Sequence, residues 1–169
     1  DAATLDGKDS TDFALASTSG SITMGVGSFT ADVGGSADWT NGCMRNSAAP
    51  FALRAGVQLP VGVVVTSISA RVIDANASDS TFFIERVTTS VPTLASVTTS
   101  GTPGNHIVSA TLATPETVDS GEAFFVEYIG GDGTGSHQIC GVEISYDIPA
   151  GTSLLGEGAP EGGPAAGTE

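Results

Sequence analysis

Residues 56–74 read GVQLPVGVVVTSISARVID. Leu59-Pro60-Val61-Gly62 has the residues of a tight turn. Beyond it Val64, Thr66, Ile68, Ala70 and Val72 fall on one face, and Val63, Val65, Ser67, Ser69, Arg71 and Ile73 on the other. That is a period of two, the spacing of a β-strand. The first face is uniformly small and apolar and the second is mixed. The stretch is therefore expected to be a central strand of an antiparallel sheet, with Val64 to Val72 on the core.

On the N-terminal side, FALRAGVQL (51–59) sets Phe51, Leu53, Ala55, Val57 and Leu59 against Arg54 and Gln58, a half-buried strand pattern. A shorter strand is expected at Cys43–Asn46. Residues 21–31 read as the first strand, with Ile22, Met24, Val26 and Phe29 inward and Gly25 and Gly27 as a weak point or bulge. Residues 32–42, DVGGSADWTNG, read as a loop.

On the C-terminal side, STFFIERVTT (80–89) places Phe82, Ile84 and Arg86 on one face and Phe83, Glu85 and Val87 on the other. Both faces are partly apolar, so this strand is read as interior. Strands follow at 91–100 and at 106–112, the latter with Ile107 and Leu112 inward. In EAFFVEYIG (122–130), Phe124, Val126 and Tyr128 oppose Phe125, Glu127 and Ile129. A last strand at 137–148 carries Cys140, Val142, Ile144 and Tyr146 on one face. About eight short strands separated by turn signals give an all-β chain, a jelly-roll-like antiparallel β-sandwich, with an immunoglobulin-like sandwich as the alternative.

Composition supports that class. The 169 residues include 23 Gly and 8 Pro, and only 14% are charged. Nineteen acidic residues stand against 5 basic ones, a net charge of −14. Binding phosphates needs clustered Lys and Arg, so nucleic acid and anionic lipid are excluded as partners. No stretch is long and apolar enough to insert in a membrane. The chain opens at Asp1, as a processed chain or an excised piece would, and an extracellular setting is expected. Cys43 and Cys140 lie near opposite ends of the domain. They are read as a disulfide between its first and last strands, or else as two buried thiols. Closing a loop of about 100 residues contributes roughly 4 kcal/mol in the chain-entropy model.

Three parts are expected: an N-terminal linker or assembly segment at 1–20, the sandwich at 21–148, and an acidic Gly/Pro-rich tail at 149–169. Neither end can bury itself alone. Leu154-Leu155 is the tail's one apolar point.

Leu5-Asp6-Gly7-Lys8-Asp9-Ser10-Thr11-Asp12-Phe13 resembles a Leu-Asp-Gly-x-Asp/His-Ser/Ala-x-x-Phe linker motif. That motif is found in phage tail-fibre proteins and in secreted or surface proteins of bacteria, notably actinobacteria. Val57-Gln58-Leu59-Pro60, Leu94-Ala95-Ser96-Val97 with Ser100-Gly101, and Cys140-Gly141-Val142 through Ile144-Ser145-Tyr146 resemble the β-sandwich module that follows this linker in the bacterial proteins. The resemblance implies a homotrimer, with Leu5, Asp6, Gly7 and Phe13 as assembly contacts; the two polar ends, with Leu154 and Leu155 as further assembly contacts, equally suit an open polymer.

Catalysis finds no support. His106 and His137 begin different strands, and no serine sits in a Gly-x-Ser-x-Gly elbow. No phosphate-loop or zinc spacing is present, and no cofactor is expected. Asp74, Asn76, Ser78 and Asp79 cluster oxygen ligands that suit calcium, with Asp32, Asp38 and Asp132 in other loops. The same residues are ordinary turn formers. Asn76-Ala77-Ser78 is formally a glycosylation sequon. Trp39 is either a binding aromatic or a lid over the core.

The main expectation is thus a non-enzymatic structural or adhesive subunit of an extracellular assembly: a fibre, filament or virion appendage. A cell-surface glycan or receptor is the candidate external partner. The alternative is a carbohydrate-binding module, which requires aromatics exposed on one face or loop. Trp39, Tyr128 and Tyr146 are its candidates. An enzyme of unknown type ranks last.

Overall fold

The computed structural model describes residues 4–5, 8–9, 17–31, 37–46, 52–75, 77–87, 90–130 and 137–152. In chain order the strands are β1 (Thr4–Leu5), β2 (Lys8–Asp9), β3 (Thr18–Met24), β4 (Thr30–Ala31), β5 (Ala37–Thr40), β6 (Cys43–Asn46) and β7 (Ala52–Val57). They continue with β8 (Val64–Asp74), β9 (Thr81–Val87), β10 (Thr93–Thr98), β11 (Gly104–Thr117), β12 (Ala123–Ile129) and β13 (Gln138–Ile148). One turn of 3-10 helix covers Val26–Ser28. The short β1 and β2 pair with each other.

The remaining strands form two antiparallel sheets, a jelly-roll-like β-sandwich. The five-stranded sheet runs β10-β9-β12-β7-β4. The six-stranded sheet runs β11-β8-β13-β6-β5, with β3 also paired to β13. β8 is central, hydrogen-bonded to β11 on one side and to β13 on the other. β9 is interior, between β10 and β12.

The core lies between the sheets. Leu53, Val63, Val65, Ile68, Phe82, Ile84, Val126, Ile139 and Ile144 are fully buried. The Phe82 and Tyr128 rings stack with centroids 4.8 Å apart. Burying side chains of this size stabilises the fold by about 1.5–3 kcal/mol each.

The turn before β8 forms as its residues dictate. Gly62 has φ +83°, which only glycine adopts without strain. The Val63 N–H donates to the Pro60 carbonyl at 3.5 Å, and the Gly62 N–H to the Val118 carbonyl at 2.8 Å.

Along β8 the alternation breaks once. Ser145 pairs with Ser67 and Tyr146 with Val65, so Thr66 is an extra residue. Its hydroxyl donates to the Ser145 carbonyl at 3.2 Å. The inward set is therefore Val63, Val65, Ile68, Ala70 and Val72. Val64 and Thr66, expected inward, are only partly buried because the bulge switches faces.

A second irregularity falls at Cys140, between the Ile139–Val72 and Gly141–Arg71 pairs. It puts Ile139 rather than Cys140 in phase with Val142 and Ile144. Ile107, expected inward, is 79% exposed, because Val108, Ala110 and Leu112 take the inner face of β11.

Residues 37–46 are a hairpin, although 32–42 reads as a loop. Thr40 pairs with Cys43 across Asn41 (φ +53°) and Gly42 (φ +77°). Asn-Gly is the usual pair for a two-residue type I′ turn. The disulfide Cys43–Cys140 is formed. It ties β6 to its neighbour β13 within one sheet, not the first strand of the sandwich to the last.

Candidate functional site

The two outer strands faces of a sandwich are where a flat sheet can meet a ligand, and on the five-stranded sheet two aromatics reach that surface. Phe82-Phe83-Ile84-Glu85 on β9 and Phe124-Phe125-Val126-Glu127 on β12 share one pattern. In each, the first Phe and the aliphatic residue are buried in the core. The second Phe and the Glu then belong to the outer face. Antiparallel pairing sets Phe83 opposite Glu127 and Glu85 opposite Phe125. The result is a quartet with the two rings on one diagonal and the two carboxylates on the other.

Neighbouring strands hold the quartet in place. Arg54 on β7 pairs with Glu127. Its Nε and Nη2 donate to Glu127 Oε1 at 3.1 and 2.9 Å. The guanidinium also lies over the Phe125 ring, 5.6 Å from its centroid, a cation–π distance. Thr93 Oγ1 donates to Glu85 Oε1 at 3.0 Å. Gly56 is the β7 partner of Phe125. A Cβ placed on Gly56 would meet nothing within 4 Å, so that flank of the ring is open. Phe83 and Phe125 are half-buried rather than core. The face thus offers two apolar rings, a fixed guanidinium, the Glu85 carboxylate and hydroxyls at its edges, with Glu127 buried against Arg54 and holding it in place. Rings take the C–H side of a polyol, and the polar groups take its hydroxyls.

The residues singled out from sequence are placed elsewhere. Tyr128 is 1% exposed, with its hydroxyl 3.3 Å from Ser80 Oγ. It is a core residue, not a surface aromatic. Tyr146 packs partly against the core, its ring over Gly20 of β3. Trp39 is on β5, paired with Met44, and its side chain lies outside the described residues.

Asp74 is buried, its Oδ1 3.1 Å from Nδ1 of buried His137. Ser78 is half-buried and Asp79 exposed in the loop after β8, and Asn76 is outside the described residues. Among the described residues no three His, Cys, Asp or Glu side chains group to hold a metal. Asp6, Gly7, Phe13, Asp32, Asp132, Leu154 and Leu155 are also outside the described residues, and Leu5 is described only as part of β1. No described helix is long and apolar enough to cross a membrane.

Phe83 and Phe125 escape a reading by strand pattern alone. The repeated Phe-Phe-aliphatic-Glu was the available signal, but its meaning depends on β9 pairing with β12.

No family model matches the chain, and no curated protein is similar to it in sequence. Solved structures share its fold. The C-terminal family 6 carbohydrate-binding module (CBM6) of a marine laminarinase from Zobellia galactanivorans superposes with a TM-score of 0.53 at 16% identity, covering 74% of this chain and 98% of that one. The CBM36-1 domain of a multidomain xylanase from the hindgut metagenome of Trinervitermes trinervoides gives 0.51 at 9% identity, covering 79% of this chain and 100% of that one. The isomalto-dextranase of Arthrobacter globiformis T6, solved with panose, gives 0.53 at 15% identity over 74% of this chain. This chain spans 23% of that enzyme's length. The expectation of a fibre, filament or virion-appendage subunit is corrected accordingly: the neighbours in fold are carbohydrate-binding modules, not tail fibres.

Proposed function

We propose that this chain is a non-catalytic carbohydrate-binding module that seats a glycan on the outer face of its five-stranded sheet. The observation that carries the reading is the quartet of Phe83, Glu127, Glu85 and Phe125, clamped by Arg54. A sugar ring has an apolar face of C–H groups and a rim of hydroxyls, and this face presents both kinds of partner in one plane. The carbohydrate-binding modules that share the fold support the same class of ligand, and the disulfide fits an extracellular setting.

The test is affinity electrophoresis in gels containing soluble β-glucan, xylan, mannan or dextran. The wild-type chain is expected to be retarded by at least one of them. Phe125→Ala and Phe83→Ala should each weaken that retardation by roughly tenfold, about 1.4 kcal/mol, with a lower Tm but a still cooperative thermal transition, because both rings are only partly buried outside the core. Absence of retardation in every gel, or variants that migrate like wild type, would overturn the reading.

A further inference from the structure

We infer that the outer face of the six-stranded sheet is a second saccharide-binding face, so that one module holds two glycan chains back to back. The class of ligand rests on the proposed function above. The residues do not, because they lie on the opposite side of the sandwich.

The first observation is an unpaired cation. Among the described residues, Arg45, Arg54 and Arg86 each face a carboxylate. Arg71 has no ion pair, although the chain carries 19 acidic residues. It stands exposed in the middle of the sheet, between Ile107 of β11 and Gly141 of β13. The second observation is a large apolar side chain beside it. Ile107 is 79% exposed, the highest value among the large hydrophobics described. The third is concavity. Two adjoining hollows of about 260 and 290 Å³ share Arg71 and Ile107. Thr23, Ser69 and Glu143 line the first, and Asn105 and His106 the second.

The register extends this into a polar platform. Ser109, Ser69, Glu143 and Thr23 lie side by side across four strands, and Thr111, Ser67, Ser145 and Ser21 form the next rank. Strands about 4.8 Å apart give each rank a length of about 14 Å. Arg71 only donates hydrogen bonds, Glu143 only accepts them, and the serines and threonines do both. Hydroxyl groups of a neutral sugar need this mixture, and Ile107 supplies an apolar contact for its C–H face. A ligand carrying a carboxylate or sulfate would meet Glu143 in the same hollow, so the neutral sugar is the occupant inferred.

The experiment is calorimetric titration of the whole chain with cellohexaose, laminarihexaose, xylohexaose, mannohexaose and isomaltohexaose. Phe125→Ala and the double variant Arg71→Ala/Ile107→Ser are titrated alongside, each checked for unchanged circular dichroism. Two sites per chain are expected, one weakened roughly tenfold or more in each variant. A single site lost in Phe125→Ala and untouched in Arg71→Ala/Ile107→Ser overturns the second face and leaves the proposed function intact. A single site with the reverse dependence overturns the two-faced arrangement and the assignment to the five-stranded sheet together. No binding in any titration overturns both.

Discussion

His137 and Asp74 show how much rests on single residues in a sandwich this size. Their side chains are 2% and 0% exposed, with the facing nitrogen and oxygen 3.1 Å apart. Removing the ring takes this contact from a buried polar side chain and leaves a cavity, so His137→Ala is expected to cost about 1–3 kcal/mol in urea unfolding. Because the two share one interaction, the double variant Asp74→Ala/His137→Ala should cost less than the sum of the singles. Gly56 gives the opposite trade. It lies in a strand, and a Cβ there meets nothing within 4 Å. Gly56→Val should raise stability by up to about 1 kcal/mol through strand propensity, a gain of about 2–4 °C in Tm. The same side chain would crowd the open flank of Phe125, so glycan retardation should fall as Tm rises. The site was only half legible at this scale. Each Phe-Phe-aliphatic-Glu run shows which residues share a face. Neither shows that the two runs oppose each other, because that depends on a long-range pairing that local alternation does not encode.

At the scale of elements, alternation identified the strands, and the departures from alternation are where expectation failed. β8 reads as one period-two run, yet Thr66 is an additional residue with its hydroxyl on the Ser145 carbonyl. Thr66→Val should cost about 1 kcal/mol through that lost hydrogen bond. Deleting Thr66 should be tolerated, since removing the extra residue leaves Val63 and Val65 in regular alternation with Ile68, Ala70 and Val72 on the inner face. A retained cooperative transition in circular dichroism is the expected result, and its loss would show that the bulge is needed for the fold. Ile107 was misplaced for a related reason. It is followed directly by Val108, so the apolar pattern fits either phase of β11, and only pairing with β8 decides. Asn41-Gly42 was a missed signal of another kind, since the dipeptide specifies a hairpin turn whatever the polarity around it.

For the whole molecule, the balance of Gly, Pro, Val, Ile and Thr was enough for the fold class, because an all-β sandwich follows from many short alternating strands. The function was not legible in the same way. The sequence drew the reading toward its polar ends, while the sheet faces that could meet a ligand exist only after the strands are paired. The disulfide belongs to this scale too. Cys43 and Cys140 are 97 residues apart. Replacing both with alanine should lower the unfolding free energy by about 4 kcal/mol in the chain-entropy model, a difference that denaturant titration of the two forms would measure.

The position of that bond also sets how the module would carry a load. Thr18 and Ile148 are paired at one end of the β3–β13 ladder. Tension applied there pulls the two strands apart like a zipper, breaking their hydrogen bonds one after another at low force. The tear can travel only to the covalent crosslink. Beyond it the tension passes from Cys43 to Cys140, and the loop between them, with β7 to β12 and the Phe83–Phe125 face, feels none, whereas Thr23 and Glu143 of the second face lie on the strands that separate. A pulled module should therefore lengthen early by a short, fixed step and then stop, still holding its ligand, and under reducing conditions the same pull should run on through the core.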